Sequence, residues 1–290
     1  MKRTIILILP LCLLFAVGCK KDNSRISIFA ENMSGDSKVW VDPAQVNGAT
    51  WLEGETVNLN GDVYTIAIDD NGFYLSNTAE LTSNLYAIYP ASLQADGNNI
   101  AVVNNNSTGT ITISSLAVNF TGNGHEVIFP MASTAEAGSD KLLFNHLTGG
   151  MRVTLANATA TIVASVKMIT YGDEAIPPVA LDGITVTTQW AAQGPTAPMG
   201  DVGQIEGDQD IKYSCEMSFA MQTNGEAGVT IPDGGDITFC VPVTVRSVKR
   251  LTVIGYDTDG TVLFTKTRSF TTAQPIERNH MYSLPTIQIN

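Results

Sequence analysis

Histidine is scarce in this chain, with only His125, His146 and His280, each isolated in sequence. No His-x-x-x-His, Cys-x-x-Cys or acidic-His spacing occurs, so the sequence predicts neither a metal site nor another cofactor. A Gly-x-Ser-x-Gly nucleophile elbow and a phosphate-binding glycine loop are missing as well. The carboxylates are scattered, and their spacing does not pair them for glycoside hydrolysis. These absences predict a protein that is not an enzyme.

Positive charge is also in short supply, with 16 lysines and arginines against 28 aspartates and glutamates and a net charge of −12. Proteins that bind nucleic acids or anionic membrane surfaces need basic surfaces to do so. The composition therefore predicts no nucleic acid partner and no electrostatic attraction to anionic lipid.

The N-terminus has the pattern of a lipoprotein signal peptide. Met1-Lys2-Arg3 precedes the apolar run 5–17, which is too short to span a bilayer as a stable helix. Gly18-Cys19 follows the run, and residues 15–19 resemble the lipobox of bacterial lipoproteins. This resemblance implies a signal peptide over 1–18, a lipid on Cys19 and a polar tether over 19–25. We expect a surface-exposed lipoprotein held in the outer membrane by that lipid.

Cys215 and Cys240 are the cysteines that remain beyond the signal peptide and the lipid site. An envelope location permits a disulfide between them. Two buried thiols on strands are the favoured alternative, because a single pair lacks the spacing of a disulfide framework.

Short runs of alternating apolar and polar residues recur between turn residues and predict an all-β chain. The clearest hairpin joins 63–68 to 73–75 through an Asn71-Gly72 turn, a residue pair that tolerates positive φ. A second hairpin spans 256–264, and Asn60-Gly61 marks a further turn. Further strands are expected at 26–30, 84–89, 109–113, 142–144, 151–156, 164–171, 184–189, 237–242, 250–256 and 280–289. Many short strands at such spacing indicate antiparallel sandwiches.

Small polar residues at 131–140 follow Phe129-Pro130, and we place the boundary between two domains in this stretch. The predicted N-terminal sandwich covers 26–139, and the C-terminal sandwich covers 140–290. The proline- and glycine-containing stretch 191–210 is expected to be a long loop inside the second half.

The tryptophans are the residues best suited to an exposed platform that stacks on sugars. Trp51 lies just before a turn, in a setting that favours core packing. For Trp40 and Trp190, core packing and sugar stacking are about equally supported. The alternative function is therefore a surface glycan-binding lipoprotein.

After the lipobox, five segments follow in a characteristic order: 51–57, 85–92, 129–132, 143–157 and 277–284. Segment 85–92, for instance, is close to a Tyr-x-Ala-x-Tyr-Pro strand. Through these segments nearly the whole chain resembles the fimbrillin family, the lipoprotein pilins of Gram-negative anaerobes. The resemblance implies two transthyretin-like antiparallel β-sandwich domains in tandem and a structural or adhesive role in cell-surface fimbriae.

In that family a trypsin-like protease cuts after a basic residue, and loss of the N-terminal strand opens a groove for a strand of another subunit. The resemblance therefore implies other fimbrial subunits as partners, together with a host or bacterial surface ligand. The candidate donor strand lies in 281–290, where Leu284, Ile287 and Ile289 supply apolar side chains. Pro285 would interrupt a ladder, so we expect the strand to begin after it.

The candidate processing residues are Arg25 and Lys38. Arg25 is too close to Cys19 for cleavage there to free a strand, although it would release the lipid. Lys38 follows the expected first strand, but an arginine-specific protease would not use it. The sequence therefore favours an anchor-type or accessory subunit that keeps its lipid.

Overall fold

The computed structural model describes residues 25–30, 51–78, 81–105, 107–122, 124–172, 179–190, 205–207, 213–243 and 246–289. These residues form 25 β-strands and no α-helix, which confirms the prediction of an all-β chain. This part of the chain contains no apolar helix of membrane-spanning length. The strands are β1 Arg25–Ala30, β2 Thr56–Leu59, β3 Asp62–Asp69, β4 Gly72–Ser76, β5 Leu85–Tyr89, β6 Leu93–Ala95, β7 Asn98–Asn104, β8 Thr108–Thr121, β9 Gly124–Glu126, β10 Met131–Ala135, β11 Lys141–His146, β12 Gly149–Asn157, β13 Thr161–Val163, β14 Ser165–Tyr171, β15 Val179–Asp182, β16 Ile184–Gln189, β17 Ile205–Gly207, β18 Tyr213–Thr223, β19 Glu226–Ala227, β20 Val229–Ile231, β21 Asp236–Val243, β22 Arg246–Tyr256, β23 Val262–Ile276, β24 Met281–Ser283 and β25 Ile287–Ile289.

Seven strands close into one sheet in the order β1-β11-β10-β5-β2-β3-β4, with β4 returning to β1. The β1–β11 pair is parallel, and the other neighbouring pairs are antiparallel. Alternation along β11 turns Leu142 and Phe144 inward while Lys141 is exposed. Trp51, Ile66 and Leu75 pack with them, so the closed sheet has its own apolar core.

The remaining strands form three further sheets. The largest runs β17-β16-β8-β18-β14-β22-β23, with β7 and β9 also on β8, β6 on β7, and β15 and β19 on β18. A smaller sheet places β12 between β21 and the C-terminal strands β24 and β25. Strand β13 pairs with β20. Side chains of the large sheet and of the β12 sheet share a second apolar core, which includes Phe219, Phe239 and Val253.

Hydrogen bonding crosses the boundary that the sequence places between residues 139 and 140. Strand β8 lies before this point but pairs with β16 and β18, which lie after it. Strands β10 and β11 lie on opposite sides of the point and pair with each other in the closed sheet. The sheets therefore do not separate where the sequence becomes small and polar.

The first half of the stretch 131–140 forms β10, a buried strand between β5 and β11. Met131 belongs to the core of the closed sheet, whereas Ala132 belongs to the second core. A strand with a core on both faces leaves room for small side chains, and Ser133 is fully buried as well. Residues 205–207 of the expected loop 191–210 form β17, which pairs with β16.

The turn predictions hold with one correction. Asn60 and Gly61 form the two-residue β2–β3 loop with φ values of 56° and 99°, as a hairpin turn with positive φ at both positions requires. Between β3 and β4 the expected Asn-Gly turn is shifted by one residue. Asp69 pairs with Gly72, so the loop is Asp70-Asn71, and the positive φ of 109° falls at Gly72.

Candidate assembly site

The first described strand, β1, is held inside the closed sheet rather than at its surface. Its backbone pairs with β11 on one side and β4 on the other. Ile26 and Ile28 are each 3% exposed and point into the core, while the intervening positions face outward and Phe29 is 48% exposed. Burial of two isoleucines contributes about 1.5–3 kcal/mol each, so β1 is a substantial part of this core.

Arg25, the first residue of β1, is clamped by the β3–β4 hairpin. Its Nη1 and Nη2 lie 2.5 and 3.4 Å from the two carboxylate oxygens of Asp69. Its guanidinium carbon lies 4.1 Å from the centre of the Tyr74 ring. A forked ion pair combined with an aromatic contact fixes both the position and the plane of the guanidinium. We refer to Arg25, Asp69 and Tyr74 together as the Arg25 clamp.

Asp69 also organises the hairpin that carries it. Its Oδ1 accepts a hydrogen bond of 2.8 Å from the backbone N–H of Asn71. The hydrogen bonds from Arg25 and then from Asn71 hold the pKa of the Asp69 carboxyl below its usual value. The carboxylate therefore stays ionised and keeps its hold on Arg25 in mildly acidic solution.

Removal of β1 would open a groove between β4 and β11. The inward side chains that contact β1 on these strands are Leu75, Leu142 and Phe144, all fully buried. The groove would therefore have two unpaired strand edges and an apolar floor. Such a groove accepts an extended segment that supplies main-chain hydrogen bonds and alternate apolar side chains.

The predicted donor segment is docked in the core of its own subunit. Strand β25 runs parallel to β12 and buries Ile287 and Ile289, while Leu284 packs partly buried against the same core. Strand β24 ends at Ser283 and β25 begins at Ile287, so the ladder is interrupted around Pro285 as the sequence predicts. Donation to another subunit would require this segment to leave β12.

Among the other predicted site residues, Arg25 is engaged in the clamp and begins a paired strand. Cys19, Lys38 and Trp40 lie outside the described residues, as do the signal peptide and the tether up to residue 24. Within the described part of the chain, no three histidine, cysteine or acidic side chains group as metal ligands would.

The two described tryptophans are core residues. Trp51 packs edge-on against Tyr89 and Phe144, with ring centres 4.7 and 5.1 Å apart, as predicted. Trp190 is 1% exposed and stacks on Tyr86 at 5.5 Å, so the sugar-stacking interpretation of Trp190 is wrong. Trp190 belongs to the core that the large sheet and the β12 sheet share, and Gly109 leaves room for its ring.

Cys215 and Cys240 are both buried thiols, in strands of different sheets, which agrees with the favoured alternative. His125 joins two sheets, because its Nε2 accepts a hydrogen bond of 2.9 Å from the backbone N–H of Cys240. Burial, followed by the positive charge of Arg152, lowers the pKa of His125 to about 4. His146 is buried beside Phe129 and is a core residue.

Sequence reasoning missed Asp69 and Tyr74 as partners of Arg25. The pair Arg25 and Asp69 is separated by 44 residues, and no local pattern connects the two. The one available signal is alternation. Tyr74 precedes the core residue Leu75 on β4 and therefore has to face outward, where Arg25 also lies.

No protein-family model and no curated protein sequence matches this chain. Among solved structures, the chain is similar to a candidate cell adhesion protein from Bacteroides ovatus, with 12% identity, a TM-score of 0.44 and 91% of each chain covered. It is also similar to a candidate cell adhesion protein from Bacteroides fragilis, with 12% identity, a TM-score of 0.33 and coverage of 91% of this chain and 92% of the other. A candidate adhesin from Bacteroides ovatus is similar with 8% identity, a TM-score of 0.33 and 93% of each chain covered.

Proposed function

We propose that this protein is a structural or adhesive subunit of cell-surface fimbriae and assembles with other fimbrial subunits by β-strand addition. The observation that carries the proposal is the position of β1, a six-residue strand inserted between β4 and β11 near the N-terminus. A short strand with two buried side chains is a unit that another extended segment can replace. The proposed role involves no catalysis and no cofactor.

The delivery route that we propose is a lipoprotein route, in which a lipid on Cys19 holds the subunit in the outer membrane at the cell surface. The fimbrillin resemblance further suggests two tandem transthyretin-like sandwiches. The number of main apolar cores, two, supports the number of sandwiches in that description. The ligand that such a fimbria would contact is a host or bacterial surface molecule.

The Arg25 clamp and the docked C-terminal strand favour an anchor-type or accessory subunit. Cleavage after Arg25 would leave Ile26 and Ile28 in the sheet, because both follow the cleaved bond. The donor candidates Ile287 and Ile289 are already buried against β12. A subunit in this form has neither an open groove nor a free donor, and it exchanges strands only after one of them is released.

The test is an immunoblot of sheared cell-surface material, run in detergent with and without boiling. Strand-exchanged polymers give a ladder that collapses on boiling, because the exchanged strands are held by a folded core. Truncation after Leu284 removes β25 and should abolish the ladder, whereas Gln288→Glu, at an exposed position of the same strand, should leave it unchanged. A single band under both conditions would contradict assembly by strand addition.

Membrane anchoring is tested separately by Cys19→Ser. The variant should appear in the soluble fraction, whereas the wild-type protein should remain with the outer membrane until detergent is added. Retention of the variant in the membrane fraction would contradict lipid anchoring at this residue.

A further inference from the structure

Strand β23 is an edge strand of the large sheet and carries positive charge, which is unusual in this acidic chain. Among the described strands it pairs with β22 alone. Its residues from Thr265 to Ser269 are exposed, and Lys266 and Arg268 project from the same side of the strand. Lys249 and Arg250 lie on the adjoining strand β22, so the ribbon carries four cations. Arg250 is opposite Ser269 and therefore faces the other side of the ribbon from Lys266 and Arg268. We call this ribbon the basic edge.

The basic edge is not neutralised by carboxylates of the described residues. The ion pairs given by the described part of the chain are Arg25 with Asp69, Lys167 with Glu216 and His280 with Glu277, and none of these residues belongs to the basic edge. Arg250 instead lies over the ring of Tyr171 at 4.0 Å, and Lys249 donates to the backbone oxygen of Thr271 at 3.2 Å. Positive charge is therefore presented to the surroundings.

The edge is poorly suited to backbone pairing. The register of β22 and β23 shifts between Val248 and Arg250, which leaves residues 270–273 bulged opposite Lys249. Pro275 follows the bulge. Bulges, lysines and prolines are the features by which exposed strand edges resist the addition of a further strand. A partner is therefore expected to contact the side chains of the basic edge rather than extend its ladder.

The complementary charge lies at one end of the closed sheet. The β2–β3 and β10–β11 turns meet there at Asn84. The side-chain oxygen of Asn84 accepts a hydrogen bond of 3.2 Å from the backbone N–H of Ala137, and its backbone oxygen accepts one of 3.0 Å from Asn60 Nδ2. These turns carry exposed Asp62, Glu136 and Asp140, with Lys141 as the exposed cation beside them. We call this end the acidic rim.

The basic edge lies several strands away from the part of the large sheet that contacts the closed sheet. The closed sheet contacts the large sheet at β8, where Gly109 meets Ile88 and Trp190. Four strand-to-strand steps separate β8 from β23. At about 4.8 Å for each step, this is about 19 Å, well beyond the screening length of about 10 Å at 0.1 M salt. This separation favours pairing between molecules over pairing within one molecule.

We propose that the basic edge of one subunit docks on the acidic rim of a second copy of this chain. The contact is heterologous, since each copy keeps an unused edge and an unused rim, and repetition builds an open chain of subunits. This inference rests on the proposed fimbrial function and adds a lateral, charge-dependent contact to strand addition. Complementary charge of this kind orients subunits and speeds their encounter.

The experiment uses the full-length lipoprotein in detergent and follows self-association by sedimentation velocity. Exposed ion pairs contribute about 0.2–1 kcal/mol each, so the contact should weaken on the order of tenfold between 0.1 M and 1 M NaCl. Two charge-reversed variants are compared, Lys266→Glu/Arg268→Glu and Asp62→Lys/Glu136→Lys. Each alone should fail to associate at 0.1 M NaCl. A mixture of the two should associate, because each then finds opposite charges on the other.

Glu226→Lys/Asp236→Lys is the matched control for the rim variant, since it also replaces two exposed carboxylates by lysines but lies outside both surfaces, and it should associate as the wild type does. Failure of the mixed variants to associate would overturn the proposal. Unchanged association of either charge-reversed variant alone would also overturn it. So would a wild-type protein that stays monomeric and whose basic edge instead binds a polyanion resin.

The outcomes are separable from those of strand addition. Strand-exchanged ladders resist salt and collapse on boiling, whereas the proposed contact dissolves in salt. A missing ladder with successful charge rescue would remove the strand-addition function and keep the contact. A normal ladder without charge rescue would do the reverse.

Discussion

The indole nitrogen of Trp190 donates a hydrogen bond of 3.0 Å to the side-chain oxygen of Asn104, and both side chains are buried. The amide nitrogen of Asn104 in turn donates to the backbone oxygens of Tyr86 and Asn58, at 2.8 and 3.4 Å. One asparagine thus links Trp190 and β7 to two strands of the closed sheet. It satisfies polar groups that the surrounding apolar residues cannot satisfy.

Asn104→Leu should lower the free energy of unfolding by about 1–3 kcal/mol, because it leaves the Trp190 N–H buried without a partner. The Tyr86 carbonyl loses one hydrogen bond but still accepts from the backbone N–H of Asn60. Urea unfolding followed by tryptophan fluorescence measures the change. Asn99→Ala, at an exposed position on the same strand, is the control and should change the stability by less than about 0.5 kcal/mol. Equal stabilities of the two variants would contradict the proposed role of Asn104.

Gly109 provides the space that the Trp190 ring occupies. A Cβ at this position would lie 2.4 Å from Trp190 Cζ2 and 2.6 Å from Ile88 Cδ1. Gly109→Ala should therefore destabilise the protein by about 1–3 kcal/mol through overpacking, as measured by thermal unfolding. At Gly122 a Cβ would meet nothing within 4 Å, so Gly122→Ala should be nearly neutral.

Local features of the fold could be predicted from the sequence, because a turn or an alternating strand is encoded by adjacent residues. Asn60-Gly61 and the alternation of β11 are examples. Strand β18 escaped prediction although Cys215, Met217, Phe219 and Met221 alternate along it. Cysteine and methionine are not residues typical of strands, so the alternation alone gave a weak signal.

Long-range pairing could not be predicted, because nothing local specifies it. Strand β1 lies beside β11, with Ser27 opposite Lys141. The short strand β10 lies where the sequence is small and polar, because two cores leave space only for small side chains. The candidate site depends on such pairings, so the sequence predicted its donor residues and the basic residue Arg25 but not the clamp that holds Arg25.

The importance of β1 can be measured with two adjacent residues. Ile28→Ala should cost about 2–5 kcal/mol of unfolding free energy, because it removes buried methyl groups from the closed sheet. Phe29→Ala, which removes a larger side chain from an outward position, should cost less than about 1 kcal/mol. Chemical unfolding of both variants gives the comparison. A larger loss for Phe29→Ala would show that the outer face of β1 is the packed one.

Stability should fall as the pH is lowered from about 6.5 to about 4, and His125 should account for part of that fall. The folded protein keeps His125 neutral down to a pKa of about 4, whereas the unfolded chain binds a proton near pH 6.5. As the pH falls, the unfolded state therefore binds the proton first, which lowers the free energy of unfolding by about 3 kcal/mol across this range. Above pH 6.5 the residue has no effect on the pH dependence.

His125→Gln isolates this contribution, because glutamine does not titrate and its side-chain oxygen can still accept the Cys240 N–H. Unfolding measured in urea at pH 7 and pH 4.5 should show a smaller difference for the variant than for the wild type. The other acidic and basic groups are common to both proteins, so they cancel in the comparison. An identical pH dependence would contradict the protonation of His125 as its source.

The Arg25 clamp should protect the bond between Arg25 and Ile26 from an arginine-specific protease. Such a protease needs an extended backbone and an accessible guanidinium, and here the backbone pairs with β4 while the guanidinium is held by Asp69 and Tyr74. Asp69→Asn removes the opposite charge but keeps a side-chain oxygen for the Asn71 N–H. We expect this variant to be cut several-fold faster, with a product that begins at Ile26, as read by mass spectrometry.

Asp70→Asn makes the same chemical change one residue along the hairpin, at an exposed position outside the clamp. Its cleavage rate should match that of the wild type, which excludes a general effect of net charge. Acceleration in both variants would mean that the hairpin, rather than the ion pair, controls access to the bond. Acceleration in Asp69→Asn alone would identify Asp69 as the residue that shields the bond between Arg25 and Ile26 from the protease.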